Sequence, residues 1–109
     1  MNAMFQIQGT CLTIVLPREL DHPQADRIRE EADCLMERHY IKKIIFDFQD
    51  TVFMDSSGIG MIMGRYKALG LRGGSILAVH VNDRMKRLLK LSGVYRFITV
   101  SRENEPANH

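Results

Sequence analysis

The densest chemical signal in the chain is the tetrapeptide Asp55-Ser56-Ser57-Gly58, which sets one carboxylate, two hydroxyls and a glycine in four consecutive positions. A serine hydroxyl can act as a nucleophile, accept a phosphoryl group, or cap a helix by accepting a hydrogen bond from a first-turn N–H. Nucleophilic catalysis needs a base, and the histidines are His22, His39, His80 and His109. None of them stands in a recognisable triad pattern, and Gly-x-Ser-x-Gly is absent. His22, within Leu20-Asp21-His22-Pro23, reads as a cap or surface residue, and Asp55 cannot serve its own chain neighbour as a base while both flank one turn. Gly58-x-Gly60-x-x-x-Gly64 imitates a dinucleotide fingerprint, but that motif needs its glycines in the turn and a second mononucleotide-binding half, for which 109 residues leave no room. With no His-x-x-x-His, no clustered cysteines and no repeated Asp spacing, neither a metal nor a cofactor is expected.

The tetrapeptide lies where one element hands over to another. Before it, Ile44-Ile45-Phe46 and Phe48 have the β-branched and aromatic content of a buried strand over 43–48; after it comes an apolar segment of helical length, from Ser56 to about Leu69. Ser56 is therefore the expected N-cap, its hydroxyl outward and beside the positive end of the helix, where a phosphate is comfortable. Ser57 would enter the first turn. Ile59, Ile62, Met63 and Tyr66 form the expected apolar face, with Gly60 and Gly64 as a row that lets the helix approach the sheet.

The other elements follow in order. Met4-Phe5-Gln6-Ile7 and Cys11 to Leu16 read as a hairpin turning around Gln8-Gly9-Thr10, ended by Pro17. Asp21 or His22 caps a helix with Pro23 in its first turn and Ala25, Ile28, Ala32, Leu35 and Met36 at helical spacing. Gly70 is a C′ residue; Ser75 to Val79 is a strand; Asn82 caps a helix carrying Met85, Leu88 and Leu89, closed by Gly93. Phe97 to Val100 is a last short strand before a polar tail. Strands alternating with helices imply an α/β layer architecture: a mixed, mostly parallel sheet of four to five strands packed against three helices, or four if the C-terminal segment adds one.

At 45% hydrophobic and 26% charged residues the chain reads as one soluble domain over 1–109, its core at about 4–100 and its tail at 101–109. No apolar run approaches the roughly 20 residues of a membrane span, so a cytoplasmic protein without a membrane partner is expected. Cys11 and Cys34, far apart in sequence, read as buried, reduced thiols. Residues 1–54 hold 6 basic and 9 acidic side chains, and 55–96 hold 8 and 2. The basic half lacks interleaved aromatics or a DNA-binding motif, which points away from direct nucleic-acid contact and toward solvated helix faces or an acidic protein surface.

Phe53-Met54-Asp55-Ser56-Ser57-Gly58-Ile59-Gly60, followed by Gly64-Arg65-Tyr66-Lys67, strongly resembles the signature of the anti-sigma factor antagonists, the bacterial STAS domains, and most of all their sporulation sigma-F type. Glu19-Leu20-Asp21-His22 and Met85-Lys86-Arg87-Leu88 to Ser92-Gly93 extend the resemblance to about residues 4–100. It implies a phosphorylation-switched binding module rather than an enzyme. In that family the unmodified protein binds an anti-sigma factor serine kinase and frees a sigma factor; the kinase phosphorylates the first serine, and a separate serine phosphatase resets the switch. Carried onto this chain, the phosphosite is Ser56 and the partner-binding residues are Asp21, His22, Asp55, Ser56, Ser57, Gly58 and Ile59. The alternative is a STAS domain sensing a small ligand such as a nucleotide, whose phosphate the same turn would cradle. The family usually has a glycine before Glu-Leu-Asp where this chain has Arg18, and it often adds a C-terminal helix.

Overall fold

The computed structural model describes residues 3–102. Strand β1 (Met4–Gln8) turns through Gly9, at a φ of 62° that suits glycine, into antiparallel β2 (Cys11–Val15). Chain order continues with β3 (Glu19–Leu20), α1 (His22–Arg38), β4 (Lys43–Asp47), β5 (Phe53–Met54), α2 (Ser56–Ala68), β6 (Ile76–Val81), α3 (Asp83–Leu91) and β7 (Thr99–Arg102). The main sheet has the order β1-β2-β4-β6-β7, parallel except for the first pair. This is the expected mostly parallel sheet with three helices.

Strands β2 and β4 alternate buried and half-buried residues, the signature of a sheet with one fully packed face. Leu12, Ile14, Ile44, Phe46, Ile76 and Ala78 on that face share one core with Ala25, Ile28 and Ala32 of α1, Met61 and Ile62 of α2, and Met85 and Leu89 of α3. The helices therefore form a layer over one side of the sheet.

Four expectations change. The segment expected to be a plain loop, 49–54, ends in β5, which pairs in parallel with β3 as a separate two-stranded sheet. It is pinned from outside: buried Thr51 donates its hydroxyl to the Pro17 carbonyl at 2.9 Å, the Asn82 amide donates to the Thr51 carbonyl at 3.2 Å, and Val52 N–H reaches the Arg18 carbonyl at 2.8 Å. The last strand begins at Thr99 rather than Phe97, because Gly93, at a φ of 86°, leads into a 3-10 turn over Val94–Arg96. Cys34 is exposed and Cys11 half-buried, since neither falls on the core side of its element. Finally, Gly60 and Gly64 face open space, and the packing glycine is Gly58. The C-terminal segment that would add a fourth helix lies, from residue 103 on, outside the described residues.

Candidate functional site

The β3–β5 pair delivers two helix starts side by side. Leu20 and Met54 are register partners, and the next residue in each strand is an aspartate that caps a helix. Asp21 accepts from the Gln24 N–H at 3.2 Å. Asp55, extended at φ −103°, accepts from the N–H groups of Ser57 at 2.9 Å and Gly58 at 3.4 Å. The expected cap thus moves by one residue: Asp55, not Ser56, is the N-cap of α2. One carboxylate oxygen, Oδ1, takes both first-turn amides, and the charge of the group complements the positive helix end.

This shift frees Ser56. It is the first helical residue of α2, exposed, and its hydroxyl has no hydrogen-bond partner among the described residues. Ser57 differs: it is half-buried, and its Oγ lies 2.9 Å from Nδ1 of His22, the first residue of α1. His22 Nε2 in turn stands 3.5 Å from Asp26 Oδ2. A Ser-His-Asp sequence of contacts therefore exists that the sequence did not reveal. The two first-turn amides nearest this serine, those of Ser57 and Gly58, already donate to Asp55 and are not free to bind an oxyanion.

Gly58 explains how α2 comes so close to this pair of strands. A Cβ there would lie 2.7 Å from Met54 Cγ and 3.0 Å from Leu20 Cδ2. The face of α2 that is buried is accordingly Gly58, Met61, Ile62, Arg65 and Tyr66, while Ile59 and Met63 are only half-buried at its margin. Arg65 belongs to that face because its guanidinium reaches Asp33 Oδ1 at 3.0 Å and the Arg29 carbonyl at 3.2 Å on α1. Burial pulls the Arg65 pKa below its ordinary range; Asp33 partly restores it, and Arg29 opposes.

Ile59 instead lines a groove of about 390 Å³ with Met54, Asp55, Ser56, Leu88, Leu91 and Ser92. The groove runs between the start of α2 and the end of α3. Leu91, 78% exposed, stands at its margin, and Phe53 nearby along the chain is also exposed. Ser56, whose hydroxyl has no partner among the described residues, is thus one of the residues lining this mainly apolar groove. Of the residues expected to meet a partner, Asp55, Ser56 and Ile59 line this groove, Gly58 is buried beneath it against Met54 and Leu20, and Ser57 turns away toward His22. Asp21 is tied to its own helix start. Sequence reasoning missed Leu88 and Leu91 as groove residues, although Leu88 and Leu91 at i, i+3 at the end of a helix were a readable signal.

A second polar pair sits at the carboxyl end of the parallel strands. His80, at a φ of 56° within the register shift of β6 against β7, holds Asp47 Oδ1 at 2.9 Å through Nδ1. The same oxygen accepts from the Gln49 N–H, so the pair anchors the start of the 49–52 loop. Among the described residues there is no group of three or more potential metal ligands and no helix long and apolar enough to cross a membrane.

Residues 2–107 match the sequence profile of the STAS domain. The anti-sigma F factor antagonist of Paenibacillus polymyxa is 36% identical over 89 residues, covering 82% of this chain and 76% of the relative. The solved structure of the anti-sigma factor antagonist SpoIIAA in its unphosphorylated form is similar with a TM-score of 0.80 at 24% identity, covering 93% of this chain and 89% of that one. The Bacillus cell fate determinant SpoIIAA in its phosphorylated form gives a TM-score of 0.72 at 25% identity, over 93% of this chain and 92% of that one.

Proposed function

The chain belongs to the STAS domain family, among the anti-sigma factor antagonists, and on that premise we propose that in its unmodified form it binds an anti-sigma factor serine kinase and so releases a sigma factor. Phosphorylation of Ser56 switches the binding off, and a serine phosphatase restores it. The chain is in this reading the substrate of the kinase and not itself an enzyme, and it acts in the cytoplasm without touching nucleic acid.

The observation that carries the proposal is exposed Ser56, its hydroxyl without a partner among the described residues, in the lining of an apolar groove. Met54, Ile59, Leu88 and Leu91 offer the partner a surface to bury, and Asp55 already places one negative charge at the rim. A phosphate on Ser56 adds a charge of about −1.5 to −2 beside it. The helix start tolerates that charge, so the domain has no reason to refold. Docking does not tolerate it, since desolvating an unpaired charge costs several kcal/mol and each ~1.4 kcal/mol is tenfold in affinity. Solved forms of SpoIIAA with and without phosphate share this fold, in line with a switch that acts at the surface.

The test is titration of the chain, before and after phosphorylation, against its anti-sigma factor kinase. Tight binding by the unmodified chain and a loss of at least tenfold with phosphate on Ser56 is the expected result. Equal affinity of the two forms would overturn the switch, and saturable binding of a nucleotide by the chain alone would favour a ligand-sensing role.

A further inference from the structure

We propose that His22 selects which of two adjacent serines accepts the phosphoryl group, by occupying the hydroxyl of Ser57 and leaving that of Ser56 free. The inference rests on the phosphorylation switch set out above and concerns its regiospecificity.

Two neighbouring hydroxyls on one helical turn pose a problem of choice. They carry the same chemistry, differ by about 100° around the helix axis, and both lie within reach of whatever docks on this turn. In the transfer itself, a serine Oγ attacks the terminal phosphorus of a nucleoside triphosphate. The bond from that phosphorus to its bridging oxygen breaks, the nucleoside diphosphate leaves with that oxygen, and the hydroxyl proton passes to a base of the kinase or to water. An Oγ held toward α1 by a hydrogen bond must turn out of that position before it can stand in line with the phosphorus of a docked nucleotide.

Ser57 is the committed one. Its Oγ is turned toward α1, 2.9 Å from His22 Nδ1, whereas Ser56 has no such partner. The imidazole is itself oriented, because Asp26, one turn along α1, stands 3.5 Å from Nε2. With the proton on Nε2 facing that carboxylate, Nδ1 of the neutral ring accepts the Ser57 hydroxyl proton; in the imidazolium, Nδ1–H donates to Oγ. Either protonation state holds Ser57. The backbone makes the hold firm: the Ser57 N–H is fixed on Asp55, and β3 and β5 fix the two helix starts against each other. His22 is thus a positioning residue that acts through Ser57, and it takes no part in the transfer.

The opposite role is also chemically available, since an imidazole beside a hydroxyl can activate it as a base. The two roles predict opposite signs. Treat the parent, His22→Ala and His22→Asn chains with the anti-sigma factor kinase and ATP, and measure phosphate on each serine by mass spectrometry, in the native background and with Ser56→Ala. Removal of the imidazole should raise the Ser57 share roughly three- to tenfold, the worth of one hydrogen bond. The double variant His22→Ala, Ser56→Ala should take up phosphate where Ser56→Ala alone does not. Asn at position 22 sets an amide atom where Nδ1 stands and should restore the parental pattern. A Ser57 share that stays level or falls in His22→Ala overturns the proposal, as does loss of Ser56 phosphorylation in that variant while it remains folded. Absence of phosphate from both serines of the parent would instead refute the switch itself, a distinct outcome.

Discussion

Asp21 and Asp55 stand at the same step of two paired strands, each one residue beyond the Leu20–Met54 register pair and each capping the helix that follows. The chain therefore builds the same strand, aspartate and helix-start unit twice and sets the copies side by side. The first helix contributes His22 and the second contributes Ser56 and Ser57, so the surface around the candidate phosphosite is a product of the pairing and not of either segment alone. A change to one cap should be felt at the other helix start.

Asp55→Ala tests the cap. It leaves the N–H groups of Ser57 and Gly58 without their acceptor and should cost about 1 kcal/mol of stability, with Asp55→Asn recovering most of it. Urea unfolding checks both. An Asp55→Ala chain as stable as the parent would mean that Ser56 can take over as the cap.

The glycines of α2 should respond with opposite signs. Gly58→Ala places a methyl group 2.7 Å from Met54 Cγ and 3.0 Å from Leu20, so overpacking of about 1–3 kcal/mol outweighs the ~1 kcal/mol that alanine gains in helix propensity. Gly60→Ala and Gly64→Ala meet nothing within 4 Å and should each stabilise by up to ~1 kcal/mol. Thermal or urea melts of the three variants decide the matter. Destabilisation by Gly60→Ala would show that α2 lies rotated from the face described.

Much of this architecture is legible in the sequence because its signals are local. The turn at Gly9, the caps at Asp21 and Asn82, and the C′ residue Gly70, at a φ of 86°, follow from residue chemistry within a few positions. What stays hidden depends on distant contacts. Strands of two residues have no periodicity to read, and β3 and β5 meet through the Phe53 N–H on the Arg18 carbonyl and the Asp55 N–H on the Leu20 carbonyl, with Thr51 and Asn82 pinning the loop before β5. Asp and Ser are equally good caps by type, so the choice of Asp55 over Ser56 rests on backbone geometry. The face of α2 is misread for a similar reason: apolar spacing assigns Ile59 to the core, whereas the buried face takes Arg65, paired with Asp33 on α1, and the groove takes the isoleucine. The tetrapeptide was visible as a candidate site, while the contact between His22 and Ser57, 35 positions apart, was not.

Arg65 gives a prediction on the coupling of the two helices. Its side chain is buried while Asp33 is partly exposed, so Asp33→Ala strands a buried guanidinium, and we expect a cost of about 1–3 kcal/mol, between the values for surface and buried pairs. Arg65→Met removes the charge but keeps the apolar stem, and should cost less than Asp33→Ala. Equilibrium unfolding of both variants and of the double variant measures the coupling. A smaller loss for Asp33→Ala than for Arg65→Met would show that the Arg29 carbonyl and water, rather than Asp33, compensate the guanidinium.

Ser56 itself should separate stability from affinity. Because Asp55 holds the cap, Ser56→Ala removes no acceptor used by the helix, and its stability should stay within about 0.5 kcal/mol of the parent. Ser56→Asp adds a carboxylate in the first turn of α2, worth ~0.3–1 kcal/mol against the helix dipole, less some repulsion from Asp55. Both variants should therefore fold as well as the parent. Their binding should diverge: Ala keeps the groove mouth uncharged and binds the anti-sigma factor kinase as the parent does, but cannot be switched off by ATP. Asp imposes an extra charge that must be desolvated beside Asp55 when the partner covers Met54, Ile59 and Leu88, and should lose at least tenfold in affinity. Urea unfolding and calorimetric titration, run on the same preparations, read the two quantities independently. A Ser56→Asp chain that folds normally and binds as tightly as the parent would remove charge from the mechanism and leave only steric exclusion by the larger phosphate.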